Sequence, residues 1–210
     1  MGKKRILCIG DSLTWGFNPV DASRFDDDIR WTGVLQKILG DEYKVIEEGQ
    51  NGRTIYFDDT LSRDKSAAKY IWACLESQNP LDTVIIMLGT NDLKVHMGLT
   101  AADIANEMEK LLDIVCEFNT TYVANFKILL MAPPCVPDDM KNSEYGESFG
   151  YISARERSLQ FPELYKAVAD KYNIDFLDTN QYVKVGLVDS IHLEQDQQAL
   201  LAQAVARKLK

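Results

Sequence analysis

Short apolar runs alternate along this chain with longer segments of helical spacing, and this alternation sets the expected fold. Arg5–Ile9, Lys44–Glu47, Thr83–Leu88, Lys127–Met131 and Asp175–Leu177 have the length and aliphatic content of short buried strands. Between them, Trp31–Leu39, Ser66–Ser77, Ala101–Phe118 and Glu156–Tyr172 place apolar residues three and four apart. A last segment from about Glu194 to Leu209 does the same. Thr100 followed by Asp103 resembles a capping box opening the third of these helices.

Strand followed by helix, repeated, requires right-handed parallel crossovers, and a parallel sheet must be covered on both faces. The pattern therefore predicts a three-layer α/β/α domain with a flavodoxin-like, doubly wound, five-stranded parallel sheet. In such sheets the ligand crevice lies beyond the carboxyl ends of the strands, so residues just after each strand become the functional candidates. The least regular stretch is 132–155, with two adjacent prolines, Gly146 and Gly150. It reads as a loop insertion in a single domain spanning 1–210, either a solvated excursion or an element of function or assembly.

Composition fits that picture and narrows the partners. At 210 residues, 46% apolar and 26% charged, the chain matches one ordinary globular domain. A net charge of -9 with no basic stripe argues against nucleic acid and anionic membrane surfaces as partners. No apolar run approaches the roughly 20 residues of a membrane-spanning helix, and Lys3-Lys4-Arg5 precedes too short an apolar run for a signal peptide. A cytoplasmic location is expected. Cys8, Cys74, Cys116 and Cys135 lack metal-ligand or C-x-x-C spacing and read as buried thiols. Asp26-Asp27-Asp28 and Asp58-Asp59 have no nearby histidine in sequence and read as solvated faces or helix starts, with Asp28 suited to the helix near Trp31. Neither a G-x-G-x-x-G nor a P-loop follows any strand, so no metal or cofactor is expected.

Four segments at strand ends, or just before the last helix, carry candidate chemistry. Gly10-Asp11-Ser12-Leu13-Thr14 puts a hydroxyl in a tight turn after the first strand, where backbone N–H groups can face a developing oxyanion. Asp189-Ser190-Ile191-His192 sets a carboxylate three residues before a histidine, close enough to fix its tautomer and leave Nε2 for a serine. His96, the other of the two histidines, has no carboxylate at that spacing and reads as an ordinary surface or loop residue. Gly89-Thr90-Asn91-Asp92 offers an amide donor, and Gly49-Gln50-Asn51-Gly52-Arg53-Thr54 offers a backbone N–H on a glycine. Each segment alone would pass for a plain turn. Trp15 and Phe17 could wall a pocket or pack under the first turn.

GDSL, a glycine in the loop after strand two, GTND and DxxH, in this order over residues 10 to 192, resemble the four blocks of the SGNH (GDSL) hydrolase family. Gly10 to Gly16, Arg30-Trp31-Thr32-Gly33 and Val45 to Gly49 are also similar to its bacterial arylesterase and acyltransferase branch. The resemblance implies Ser12 as nucleophile, Asp189 and His192 as its partners, and an oxyanion hole from the N–H groups of Ser12 and Gly52 and the side chain of Asn91. Gly49 is the competing glycine, and Asp11, Trp15, Phe17, Thr90 and Asp92 are expected as pocket or supporting residues. The implied activity is hydrolysis of small carboxylic esters through an acyl-enzyme, with transfer to an alcohol or peroxide as the alternative acceptor. A homo-oligomer would fit that branch. The rival from another class is a silent ligand-binding module on the same fold.

Overall fold

The computed structural model of the protein describes residues 2–209. Seven residues of alternating core contact, Lys4–Gly10, form β1, followed by one helical turn, α1 (Ser12–Trp15). The chain continues through α2 (Trp31–Leu39), β2 (Tyr43–Gly49), α3 (Ala67–Gln78), β3 (Thr83–Met87) and α4 (Ala101–Thr121). Then come β4 (Lys127–Ala132), α5 (Gly146–Phe149), α6 (Ile152–Ser158), α7 (Phe161–Tyr172), β5 (Asp175–Asp178) and α8 (Gln195–Leu209). The Thr100 side chain caps the Asp103 N–H while Asp103 reaches back, so the capping box opens α4 as expected.

The five strands are parallel in the order β2-β1-β3-β4-β5, a doubly wound sheet in which the winding reverses at β1. Register brings the strand ends level: Gly10 is paired with Gly49 on one side and Met87 on the other. The loops after β1, β2 and β3 therefore open side by side. One apolar layer, with Ile71, Leu75, Met108, Leu111 and Tyr165, joins α3, α4 and α7 to one face of the sheet. The other, with Trp31, Leu35, Leu201 and Val205, joins α2 and α8 to the opposite face.

Trp31 ties that second layer to the turn after β1. Its side chain is fully buried, its indole Nε1 donates to the Leu13 carbonyl at 3.1 Å, and its backbone N–H donates to Gln198 of α8. Truncating such a residue costs about 3–5 kcal/mol, and here it would also loosen α1.

Several expectations need correction. The helix predicted over Glu156–Tyr172 is two helices, α6 and α7, because Pro162 sits in the first turn of α7, where a missing N–H is harmless but a continuing helix would clash. The 132–155 stretch is largely helical: it holds a 3-10 turn at Asp138–Asn142, α5 and the start of α6. Arg157 fastens it to the loop after β3 by donating to the carbonyls of Leu93 and Leu99 at 2.6 and 2.9 Å. Asp28 does not cap α2; Arg30 occupies that position and pairs with Asp27. Cys8 and Cys74 are buried, Cys116 and Cys135 only half so, and all four are free. Among the described residues no helix is long and apolar enough to cross a membrane, and no group of three His, Cys, Asp or Glu side chains could hold a metal ion.

Candidate active site

Ser12 stands at the start of α1, directly after β1. The buried Asp11 side chain caps this turn by accepting the Leu13 N–H at 2.9 Å, and Gly16 closes it in the left-handed conformation. The Ser12 N–H is thereby left at a helix N-terminus, where backbone donors are free to meet negative charge. Burial pushes the Asp11 carboxyl up to about 6, and its Oδ2 has no hydrogen-bond partner among the described residues.

His192 Nε2 lies 2.8 Å from Ser12 Oγ, and its Nδ1 lies 2.5 Å from Asp189 Oδ2. The other Asp189 oxygen accepts the backbone N–H groups of Ile191 and His192 at 3.0 and 2.9 Å. Burial pushes the Asp189 carboxyl up, but the hydrogen bond and charge of His192, with the two N–H groups, outweigh it and hold the carboxyl below its ordinary range. An ionised Asp189 accepts from Nδ1–H and leaves Nε2 unprotonated toward the serine. Ser190 adopts φ +63, a left-handed conformation costly for a non-glycine residue, and so folds Asp189 back onto His192. Ser143, from the 132–155 segment, donates its hydroxyl to the Asp189 carbonyl.

The two glycines of the loop after β2 differ in what they do. A Cβ on Gly49 would sit 2.2 Å from the Trp15 nitrogen, so this glycine lets β2 pack against α1. Gly52 adopts φ +80, a Cβ there would meet only the Lys65 side chain at an ordinary contact distance of 3.5 Å, and the residue lines the cleft with Ser12. Asn91 also lines that cleft and donates one amide hydrogen to the Arg53 carbonyl at 3.1 Å. An amide carries two such hydrogens, so one remains available.

The cleft measures about 370 Å³. Phe17 packs its ring 4.2 Å from the His192 ring, and Tyr145 meets the same imidazole edge-on at 6.1 Å. Trp15 is not part of the cleft; the Arg24 guanidinium lies over its ring at 5.4 Å. Thr90 and Asp92 are buried and likewise do not line it. Asp92 instead accepts the Ile55 N–H at 3.0 Å.

Three groups along the cleft wall were not anticipated. Asp59, 2% exposed, binds Lys94 Nζ and His96 Nε2, each at 2.8 Å. Burial raises the Asp59 carboxyl, but these partners and the Leu61 N–H together bring it down to about 2. The acidic doublet 58–59 is thus no solvated face, and His96 has a carboxylate partner, 37 residues away in sequence. Tyr145 and Phe149, from the 132–155 segment, complete the apolar side. Their only sequence signal was the insertion itself.

A serine, histidine and carboxylate in one hydrogen-bonded chain, at the carboxyl edge of a parallel sheet, define a class of protein equipped to pass a hydroxyl proton to an imidazole. The chain belongs to the GDSL-like Lipase/Acylhydrolase family, whose profile matches residues 8–202. An aryl esterase from M. smegmatis is similar at 36% identity over 98% of each chain, with a TM-score of 0.90. A carbohydrate acetylesterase from Sinorhizobium meliloti is 37% identical over 99% of this chain and 98% of its own, with a TM-score of 0.89. An acetylxylan esterase from Xylanibacter ruminicola is 29% identical over 115 residues, 51% of this chain. The chain spans about a fifth, 21%, of that relative's length.

Proposed function

We propose that this protein is a serine esterase of small carboxylic esters, with Ser12, His192 and Asp189 as its triad. The observation that carries the proposal is the pair of hydrogen bonds from Ser12 Oγ to His192 at 2.8 Å and from His192 to Asp189 at 2.5 Å. In the reaction Ser12 Oγ attacks the ester carbonyl carbon as His192 Nε2 takes its proton. The imidazolium then protonates the departing alkoxide, leaving an acyl-enzyme. Water, deprotonated by the same imidazole, attacks that acyl group; the bond to Ser12 Oγ breaks, the imidazolium returns the proton to Oγ, and the carboxylic acid leaves. Asp189 stays ionised and stabilises the imidazolium. The N–H groups of Ser12 and Gly52 and the second amide hydrogen of Asn91 stabilise the oxyanion.

The size of the cleft supports a short acyl group, and its polar wall, with the Asp59–Lys94 ion pair and His96, disfavours a long alkyl chain, which would have to desolvate those groups. The apolar rings of Phe17 and Tyr145 against His192 favour an alcohol as a competing acceptor of the acyl group. Hydrolysis of p-nitrophenyl acetate, butyrate and octanoate by the wild type and Ser12→Ala tests the proposal. Turnover that declines with chain length and vanishes in Ser12→Ala is expected; turnover retained by the folded variant would reject the triad.

A further inference from the structure

Behind the loops that carry Gly52 and Asn91 lies a second pair of acidic side chains that the reaction itself does not use. Asp92, in the turn after β3, is fully buried, and Glu107, on α4, is 2% exposed. Asp92 Oδ2 and both Glu107 oxygens have, as ionised groups, no hydrogen-bond partner among the described residues. A buried oxygen left so is destabilising, and more so when charged. The two carboxyls interact with each other, so one proton held between them would satisfy Asp92 Oδ2 and one Glu107 oxygen and leave a single negative charge on the pair.

We infer that Asp92 and Glu107 share a proton and form a clip that positions the two oxyanion-donor loops over Ser12. The connections run from both sides of the pair. Asp92 Oδ1 accepts the Ile55 N–H at 3.0 Å, and its neighbour Asn91 donates to the Arg53 carbonyl at 3.1 Å. The loop after β2, through Arg53 and Ile55, and the loop after β3, through Asn91 and Asp92, are thus stitched together at two points. The backbone of Tyr56 and Phe57, next in the loop after β2, faces Glu107 and favours its ionised form, while neither N–H reaches a Glu107 oxygen with hydrogen-bond geometry. Burial, and for Asp92 the charges of Glu107 and Asp11, pushes both carboxyls above their ordinary range, so the pair keeps its proton at neutral pH. The Lys110 charge favours the ionised form of Glu107 and opposes full protonation of the pair. Both acids are positioning residues; neither lines the cleft.

The inference rests on the esterase reading, and the test separates the two. Infrared difference spectra at neutral pH should show the C=O stretch of a buried protonated carboxyl in the wild type, lost in both Asp92→Asn and Glu107→Gln. This readout needs no catalysis. In kinetics, per fluorophosphonate-titrated site, Glu107→Ala should lose kcat on the order of 10–100-fold with little change in KM, as displaced donors would produce. Glu107→Gln and Asp92→Asn should stay within a few-fold of the wild type, because an amide N–H can replace the shared proton. Wild-type kcat per site in Glu107→Ala, absence of the infrared band, or equal damage from Glu107→Gln and Glu107→Ala would overturn the clip. A wild type that takes no label would instead overturn the esterase reading. Should Glu107→Ala fail to fold, the two amide variants and the infrared band decide.

Discussion

In the proposed mechanism Asn91→Ala removes one oxyanion donor together with one structural hydrogen bond, and the two losses can be measured apart. The Asn91 amide has two hydrogens; one is donated to the Arg53 carbonyl at 3.1 Å, and the other is free at the cleft. Loss of a single oxyanion donor costs about 2.7–4 kcal/mol of transition-state stabilisation, or roughly 10²–10³ in kcat. Loss of the Arg53 contact leaves a buried carbonyl unpartnered, at about 1–3 kcal/mol. In a chain of this size each kcal/mol lowers Tm by about 2–4 °C. The variant should therefore melt several degrees lower yet remain folded at assay temperature, while kcat per titrated site falls about a hundredfold or more. KM should change little, because the donor acts on charge that develops after binding. Steady-state kinetics on p-nitrophenyl acetate beside a thermal melt gives both numbers. A kcat within threefold of the wild type, at any loss of Tm, would refute the assignment of Asn91.

Other substitutions probe neighbouring parts of the site. Asp189→Asn can still accept the Ile191 and His192 N–H groups, so it should fold while kcat falls by roughly 10⁴ as His192 loses its tautomer; kinetics with a melt checks this. Gly52→Ala meets only the Lys65 side chain at 3.5 Å but must hold φ +80, so it should lose about 1–2 kcal/mol and some kcat. Gly49→Ala collides with the Trp15 backbone and should be far more destabilised, a difference that denaturant titration resolves. Asp11 is raised from 3.8 to about 6, so its ionised form weighs against the folded state. That penalty is absent below pH 3.8, grows through the window up to about 6, and is complete above it. It amounts to about 3 kcal/mol. Asp11→Asn should lack this component, so its stability relative to the wild type should rise between pH 4 and pH 7 in denaturant melts.

Much of the fold was legible because its signals are local. All five strands fall within a residue or two of their expected ends, since each is a short apolar run cut off by turn residues. The convergence of Ser12, Asp189 and His192 was legible for the same reason: each sits in a compact motif, and the motifs lie at a strand end or just before the last helix. Features made by distant segments were not legible. Asp59 gains Lys94 and His96 only when the loops after β2 and β3 meet, and a charged doublet in sequence carries no trace of that burial. Tyr145 and Phe149 reach the cleft because the 132–155 segment folds into short helices fastened by Arg157, in a stretch too irregular to show a period. Trp15 lies too close to Ser12 in sequence to be told from Phe17, yet the helical turn sends one ring to Arg24 and the other to His192.

The most direct test of the central claim is the site of covalent attack. The wild type is treated with a fluorophosphonate, digested, and the adduct located by mass spectrometry, with His192→Ala in parallel. A single adduct on Ser12, formed far more slowly in His192→Ala, is the predicted result; modification elsewhere, or none in the folded wild type, would contradict it.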